Sequence, residues 1–395
     1  ERLLGDSSFW SASEANEVWQ LDLGNLLAER PDVPAGAVHP LLRAVAVLAD
    51  LEQWHRGRGE LGAELQAYLH RQALLSEHRQ GEADRRRRRE ALEQRLPRFR
   101  GDPWWSMGVY SLAQDLDQVA SDPERRIRAR ALALEGERAY PGTHGAQRCR
   151  QLIAQIESPD YQLQSMTVDG ADRRSIEITH RNLAALYLRA YPVDLAAQLG
   201  RAEFRGFFPT DAREIERLLA TATPVAEWKV ALPPTADYLS HRTFVTPPLA
   251  KAGTYLLVAS AGRGFGESGN RRVALAFTLS DLVLLEEGQH LPWRVRLVSG
   301  RTGAPAGGVE VALYRNTWRA APERIATVRT DAAGRAEFAA TVAAANGATN
   351  LLLVARRGAR DPVANALCQL AALAFIGGAL VSIVTIFNYW DHPHF

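Results

Sequence analysis

The sequence predicts a multidomain chain of α plus all-β type: an N-terminal α-helical region, two immunoglobulin-like β-sandwiches and a C-terminal apolar helix. Three observations predict it. Up to Ser158 apolar residues recur at helical spacing, with helix-start signals ahead of them. Beyond Pro159 short alternating runs are separated by turn residues. Between Asp361 and Asp391 there is no Asp, Glu, Lys or Arg. The expected domains are 1–158, 159–282, 283–361 and 362–395.

At 395 residues the chain has room for roughly two to four domains. A formal charge of +2 creates no global field that calls for nucleic acid, and 23% charged residues suits a globular protein. Cys149 and Cys368 are the only cysteines, too few for a zinc site or a disulfide framework. No signal-peptide pattern is visible in the residues given.

In the helical region, Leu41, Leu42, Ala44, Val45, Val47, Leu48 and Leu51 are too dense for an alternating strand and fit a buried helix. Asp102-Pro103 and Asp122-Pro123 place an N-cap acid before a proline at the first helical position. Ile127, Ala131 and Leu134 then fall on one face. After Pro141-Gly142, the stripe Ala146, Cys149, Leu152, Ile153 and Ile156 marks another helix. Successive helices joined by tight turns predict a helix-hairpin array of tetratricopeptide-like kind, although no strict repeat aligns.

Strands are expected at 161–168, 175–179, 183–191, 225–232, 243–245, 253–260 and 272–279, with a more helical stretch at 194–222. The second sandwich runs from Val283 to Arg357. There Trp293, Val295 and Leu297 share one face against Arg294 and Arg296, and Val309, Val311 and Leu313 repeat the pattern. Ala326 and Val328 are placed opposite Ile325 and Thr327. In the tail, about 20 apolar residues suffice to cross a bilayer. Phe387, Tyr389 and Trp390 at its end fit an interfacial belt. A transmembrane helix is expected, against a buried apolar helix as the alternative; the flanking Arg356, Arg357 and Arg360 leave its orientation open.

Several pieces occur in a telling order: Tyr140-Pro141-Gly142-Thr143-His144-Gly145-Ala146, Arg181-Asn182-Leu183, Gly253 to Val258, Leu279-Ser280-Asp281-Leu282, Ser299 to Arg315, and Thr330 to Phe338. On these pieces the region Tyr140–Arg360 resembles the N-terminal part of bacterial alpha-2-macroglobulin-like proteins. The resemblance implies two macroglobulin-type sandwiches in a secreted or envelope-attached protein. It also implies endopeptidase inhibition by trapping, in which cleavage of a bait segment triggers a conformational change. Many family members carry a thioester built from Cys-x-Glu-Gln. Here Cys149 is followed by Arg-Gln and Cys368 by Gln-Leu, so neither forms the motif. The implied identity is the arm of such a protein without its trapping machinery. Further sandwiches would be expected beyond Asp361, where this chain turns apolar instead.

No residue is assigned a catalytic, cofactor-binding or metal-binding role. Gly264-Phe265-Gly266-Glu267-Ser268-Gly269 matches Gly-x-Gly-x-x-Gly, with Glu286 near the ribose-acid offset, but Arg272 to Phe277 reads as a strand where the fingerprint needs a helix. Cys149, near His144, lies on an apolar stripe and reads as an inert thiol; Cys368 reads as a packing residue. The run Arg85 to Arg89 reads as a solvated helix face paired with Glu82 and Asp84. Trp104 and Trp105 read as packing aromatics. His392 and His394 are too few for a metal site. The expectation is a non-enzymatic protein of the bacterial envelope, periplasmic or extracellular and membrane-anchored. Its expected partners are proteases or other envelope proteins, with no nucleic acid. The alternative is a structural or adhesive scaffold.

Overall fold

The computed structural model describes residues 22–33, 39–166, 170, 174–201, 208, 212–265, 270–287, 293–315, 320–338, 350–356 and 365–371. Two compact units divide them. One contains the residues up to Pro159 together with Thr235–Leu239; the other contains the remainder.

The first unit is helical: α1 (Leu23–Leu27), α2 (Pro40–Gly57), α3 (Leu61–His78), α4 (Glu82–Arg95), α5 (Trp105–Asp117), α6 (Arg125–Ala139) and α7 (His144–Glu157), with a 3-10 turn at Leu96–Phe99. Caps set the starts. His39 Nδ1 accepts the Leu41 N–H at 3.2 Å, and Thr143 Oγ1 accepts that of Ala146 at 3.2 Å. Asp102 and Asp122 accept the N–H two residues on, at 2.8 Å each, yet regular helix begins only at Trp105 and Arg125. The aspartates close a turn that leads into each helix.

Two expected faces differ in the structure. On α2, Leu41, Leu42 and Val45 are buried, but Val47 and Leu51 are exposed, so this helix is amphipathic and not sunk in the core. On α6 the buried row is Ala129, Ala133 and Gly136, whereas Ile127 is exposed. Small residues win because α6 lies tight against its neighbours: a Cβ on Gly136 would stand 2.7 Å from Cys149 Sγ and 2.9 Å from Val109 Cγ1. Ser106 Oγ donates to the Gly136 carbonyl across the same approach, at 2.7 Å. The α7 stripe is buried as expected.

A charged knot holds the first helices together. Arg71 and Glu52 are completely buried and face each other through two contacts of 2.7 and 2.8 Å. The other guanidinium nitrogen of Arg71 donates to the carbonyls of Leu26 and Ala28, both at 2.9 Å, at the end of α1. Arg95 adds a second cation to Glu52 at 3.2 Å and donates to the Leu27 carbonyl at 2.9 Å. Two arginines thereby satisfy the last carbonyls of α1 and share the Glu52 carboxylate.

The second unit consists of two sandwiches with one topology. In the first, β1 (Asp160–Ser165), β2 (Ile176–Arg181) and β5 (His241–Val245) form a sheet in the order β1-β2-β5. Strands β3 (Ala185–Val193), β4 (Ala226–Ala231), β6 (Gly253–Ser260) and β7 (Arg272–Leu279) form the other, ordered β4-β3-β6-β7. The second sandwich follows after the two residues Ser280 and Asp281. Its strands are β8 (Leu282–Glu286), β9 (Trp293–Ser299), β10 (Glu310–Arg315), β11 (Glu323–Arg329), β12 (Arg335–Phe338), β13 (Asn350–Arg356) and β14 (Asn365–Ala371). Their sheets, β8-β9-β12 and β11-β10-β13-β14, repeat the first pair strand for strand, and every pairing is antiparallel.

This repetition corrects the expected C-terminal helix. Residues Asn365–Ala371 are not helical; they form the strand that β7 forms in the first sandwich, with Cys368 opposite Leu353 in register. An apolar run beside an open sheet edge gains a full ladder of backbone hydrogen bonds as a strand. Among the described residues no helix is long and apolar enough to cross a membrane. The remaining tail, 372–395, with the aromatic belt expected there, lies outside the described residues.

The Thr330–Phe338 block shows why its turn has that sequence. Thr330 Oγ1 donates to the Ala306 carbonyl at 2.7 Å and accepts the Val309 N–H at 2.9 Å. Asp331 Oδ1 accepts the Arg335 N–H at 2.8 Å. Gly334 has φ +77° and lies against the Leu297 carbonyl, so no side chain fits there. Val295, Leu297, Val309, Val311 and Leu313 face the core as expected. A bulge between Leu313 and Tyr314, where the pairing skips from Ala326 to Arg324, brings Ile325 onto that core beside Ala326 and Val328, against the expected alternation.

The connection from β3 to β4 carries α8 (Leu195–Leu199) and α9 (Ala212–Thr221). Strand β6 is buried on both faces: Tyr255, Leu257 and Ala259 point into the sandwich, while Leu256 and Val258 pack with Ile215, Leu218 and Leu219 of α9. Strand β13 repeats this arrangement. Leu353 and Ala355 point inward, and Leu352 and Val354 pack with Leu195 and Leu199 of α8. A single insertion therefore covers the outer faces of both four-stranded sheets.

Two stability effects follow. Leu199→Ala is expected to lower unfolding free energy by about 2–5 kcal/mol, the cost of a large-to-small change in a core, whereas Leu51→Ala on the exposed face of α2 shifts it by about 0.5 kcal/mol or less; thermal and urea unfolding of the full chain read both. Arg71→Met removes the nearer of the two cations that face the buried Glu52 carboxylate and is expected to cost about 3–5 kcal/mol. The double variant Glu52→Leu/Arg71→Met should lose less than Arg71→Met alone in the same measurement.

Candidate functional site

The residues singled out by sequence fall into separate places. Cys149 is fully buried on α7, its Sγ 3.6 Å from the Ser106 carbonyl oxygen, while His144 at the start of the helix is exposed. Burial, and secondarily the charge of Glu137, pushes the thiol up to about 11. A nucleophile needs the opposite shift. The Gly-rich segment does not open a helix: β7 follows it and pairs back onto β6 as a hairpin, which removes the helix N-terminus a pyrophosphate would need. Its residues 266–269 lie outside the described residues, as do His392 and His394.

The arginine run is more embedded than a solvated face. Successive residues turn by about 100° on a helix, so five in a row must also point inward. Arg88 is buried and donates to the Arg79 carbonyl; burial, more than any neighbouring charge, holds its pKa below the ordinary value. Arg87 bridges to Asp22, the α1 cap, and Arg89 to Asp115 of α5 at 3.1 Å. Arg86 pairs with Glu90 at 3.5 Å, not with Glu82. Trp105 is buried in the core formed by α3, α5, α6 and α7, with the Arg100 guanidinium 5.5 Å from its ring centroid. Trp104 lies over Gly62, where a Cβ would stand 2.8 Å from its ring. Both tryptophans pack helices.

Among the described residues no group of three His, Cys, Asp or Glu side chains stands close enough to hold a metal ion. Two depressions mark the helical unit. The larger, about 620 Å³ and open, lies beside the Arg100–Trp105 corner and is lined by Leu134, Glu135 and Arg138 of α6. Arg100 and Glu135 close on each other across it at 2.6 Å.

The smaller depression, about 160 Å³, lies between α5 and α7. Tyr110, Gln114 and Gln118 line one wall; Arg148, Gln151 and Gln155 line the other. Leu152 and Asp117 are buried at its floor, and Arg126 holds the Asp117 carboxylate at 3.0 Å. Sequence reading missed this cleft. Its signal was present as two polar rows at helical spacing, but nothing in the sequence says that α5 and α7 lie side by side.

In the first sandwich His180 is buried on β2, with Nε2 3.0 Å from Thr243 Oγ1. Burial first, and His241 second, hold its pKa below the ordinary value.

No family model matches the chain, and no curated protein is significantly similar to it. Among solved structures, the Escherichia coli alpha-2-macroglobulin fragment spanning domains MG0-NIE-MG1 is 21% identical over 53% of this chain and 63% of that one, with a TM-score of 0.38. The NIE-MG1 fragment is 19% identical over 53% of this chain and 96% of that one, also at 0.38. For the native conformation of the same E. coli protein, determined by cryo-EM, the values are 20% identity, 54% of this chain, 13% of that chain and 0.31. The match thus spans less than two thirds of the first of these structures and about an eighth of the last.

Two measurements follow from the buried groups. At pH 8 a thiol titrating near 11 carries about a hundredfold less thiolate than one at its ordinary value of 9.0. Cys149 should therefore resist maleimide in the folded chain and react in denaturant, as read by mass spectrometry of its peptide. His180 binds its proton more readily in the unfolded chain. Stability should therefore fall as pH drops below about 6.5 and level off below the lower folded value; urea unfolding against pH should show a shallower fall for His180→Asn. Over about half of its length, the chain is similar to the E. coli alpha-2-macroglobulin fragments spanning domains MG0-NIE-MG1 and NIE-MG1.

Proposed function

We propose that this chain is a non-enzymatic protein-binding arm of the bacterial cell envelope, macroglobulin-like in kind, that engages proteases. The observation that carries this reading is the pair of sandwiches with one strand order, joined through two residues, in a chain whose sequence pieces follow the macroglobulin order. Such surfaces bind through sheet faces and edge strands. β5, with Phe244 exposed, ends one three-stranded sheet, and β8, with Leu285 exposed, ends the other. The scaffold reading draws on a separate observation. The insertion between β3 and β4 packs on both sandwiches, as a spacer of fixed geometry requires.

Incubation with a panel of endopeptidases separates the two. Protease engagement predicts a stable complex on sedimentation, with cleavage at a few sites. Unchanged sedimentation with active and with active-site-blocked protease favours the spacer.

A further inference from the structure

We propose that the cleft between α5 and α7 binds an extended, acidic peptide segment by its main chain. The reading is independent of any role for the sandwiches.

The walls carry hydrogen-bonding groups at a spacing that suits this ligand. Gln114 on α5 and Gln118, the residue that caps its C-terminal end in αR conformation, are one four-residue step apart, as are Gln151 and Gln155 on α7. Four residues of helix rise about 6 Å. Two residues of extended chain rise about 6.6 Å, the interval at which peptide groups recur on the same side. Each carboxamide offers one acceptor and two donors. A ladder on either wall can therefore meet alternate peptide units of a strand lying between them.

The capacity of this ladder is unspent. All four glutamines are exposed, and none is hydrogen-bonded through its side chain to another protein group among the described residues. Elsewhere in the helical unit Gln53 donates to the Glu29 carbonyl at 3.0 Å, Gln72 to Tyr68 Oη at 2.5 Å, and Gln80 to the Glu77 carbonyl at 3.2 Å, whereas Gln66, Gln94 and Gln147 are exposed like the cleft glutamines but line neither depression.

Charge decides the ligand's character. The floor carboxylate, Asp117, is already neutralised by Arg126. Elsewhere on α6 and α7, Arg130 pairs with Glu157 at 2.6 Å and Arg150 with Glu137 at 2.7 Å. Arg148, on the cleft wall, is exposed and has no carboxylate partner among the described residues. A guanidinium in that position suits a carboxylate brought by the ligand. Leu152 adds an apolar patch at the floor but no pocket for a large side chain, so recognition falls on the peptide main chain.

The test is fluorescence anisotropy of the full chain with a fluorescein-labelled peptide alternating Glu with Ser and Gly. Three comparison ligands are used: the same peptide with Gln for Glu, its depsipeptide with alternate amides replaced by esters, and maltoheptaose as an unlabelled competitor. Saturable binding is expected, weakened about tenfold or more in the depsipeptide and in Gln114→Ala/Gln151→Ala, as loss of paired hydrogen bonds requires. These glutamines are exposed, so circular dichroism should show the fold intact. Arg148→Gln should abolish the preference for Glu over Gln while retaining binding to the main chain. Absence of binding, equal affinity for the depsipeptide, or binding unchanged in the double glutamine variant would overturn the proposal. Failure of the peptide together with saturable calorimetric binding of maltoheptaose would overturn the proposal and assign the cleft to a saccharide.

Discussion

Water must be kept from both faces of two sheets, and one short insertion does so for each. Strand β6 and its counterpart β13 alternate apolar residues inward and outward, so neither four-stranded sheet can leave its outer face in solvent. Burying a leucine or valine is worth about 1.5–3 kcal/mol. Leu256, Val258, Leu352 and Val354 together make the cover one of the larger apolar contributions in this unit. The residues before Ala222 supply it: α9 lies on the first sheet and α8 on the second. Left bare, the same faces would be contiguous apolar patches of the kind that drives aggregation.

The helical unit solves a different problem. Its short first helix cannot hold itself in place, since a helix of five residues is far below the length that is stable alone. Arg71 and Arg95 anchor it by taking its terminal carbonyls while sharing Glu52. Farther along, contact is made by the absence of side chains. Gly136 and the alanines of α6 let that helix lie against α5 and α7, and Gly145 lets α7 lie against the backbone of α5, which places the two glutamine rows across a narrow cleft. The buried Cys149 belongs to this packing.

Much of this was legible in sequence. Strands β6 and β7 were read to the residue because their ends are marked by glycine, serine and arginine turns. The α7 stripe was read because five apolar residues at strict spacing admit one face. The rest failed for identifiable reasons. Residues at i and i+1 on α2 are equally apolar, and only packing decides that Leu42 is inside and Val47 outside. On α6 large residues mark the wrong face, because close helix contact selects the small ones. The tail was read by its lack of charge, which a membrane helix and an edge strand of a covered sheet share. Recognising that Asn365–Ala371 is the seventh strand of a second sandwich requires the topology of the first. The α5/α7 cleft depends on two helices far apart in sequence, so its polar rows carried no meaning until they met.

The insertion holds the outer faces of both sandwiches. Hydrogen exchange of the full chain carrying Leu195→Asp/Leu199→Asp tests this. Amides of Leu351–Ala355 in β13 are expected to lose protection, although no residue of that strand is changed and α8 belongs to the connection of the other sandwich. Loss of protection confined to residues 194–199, with β13 unaffected, would contradict it.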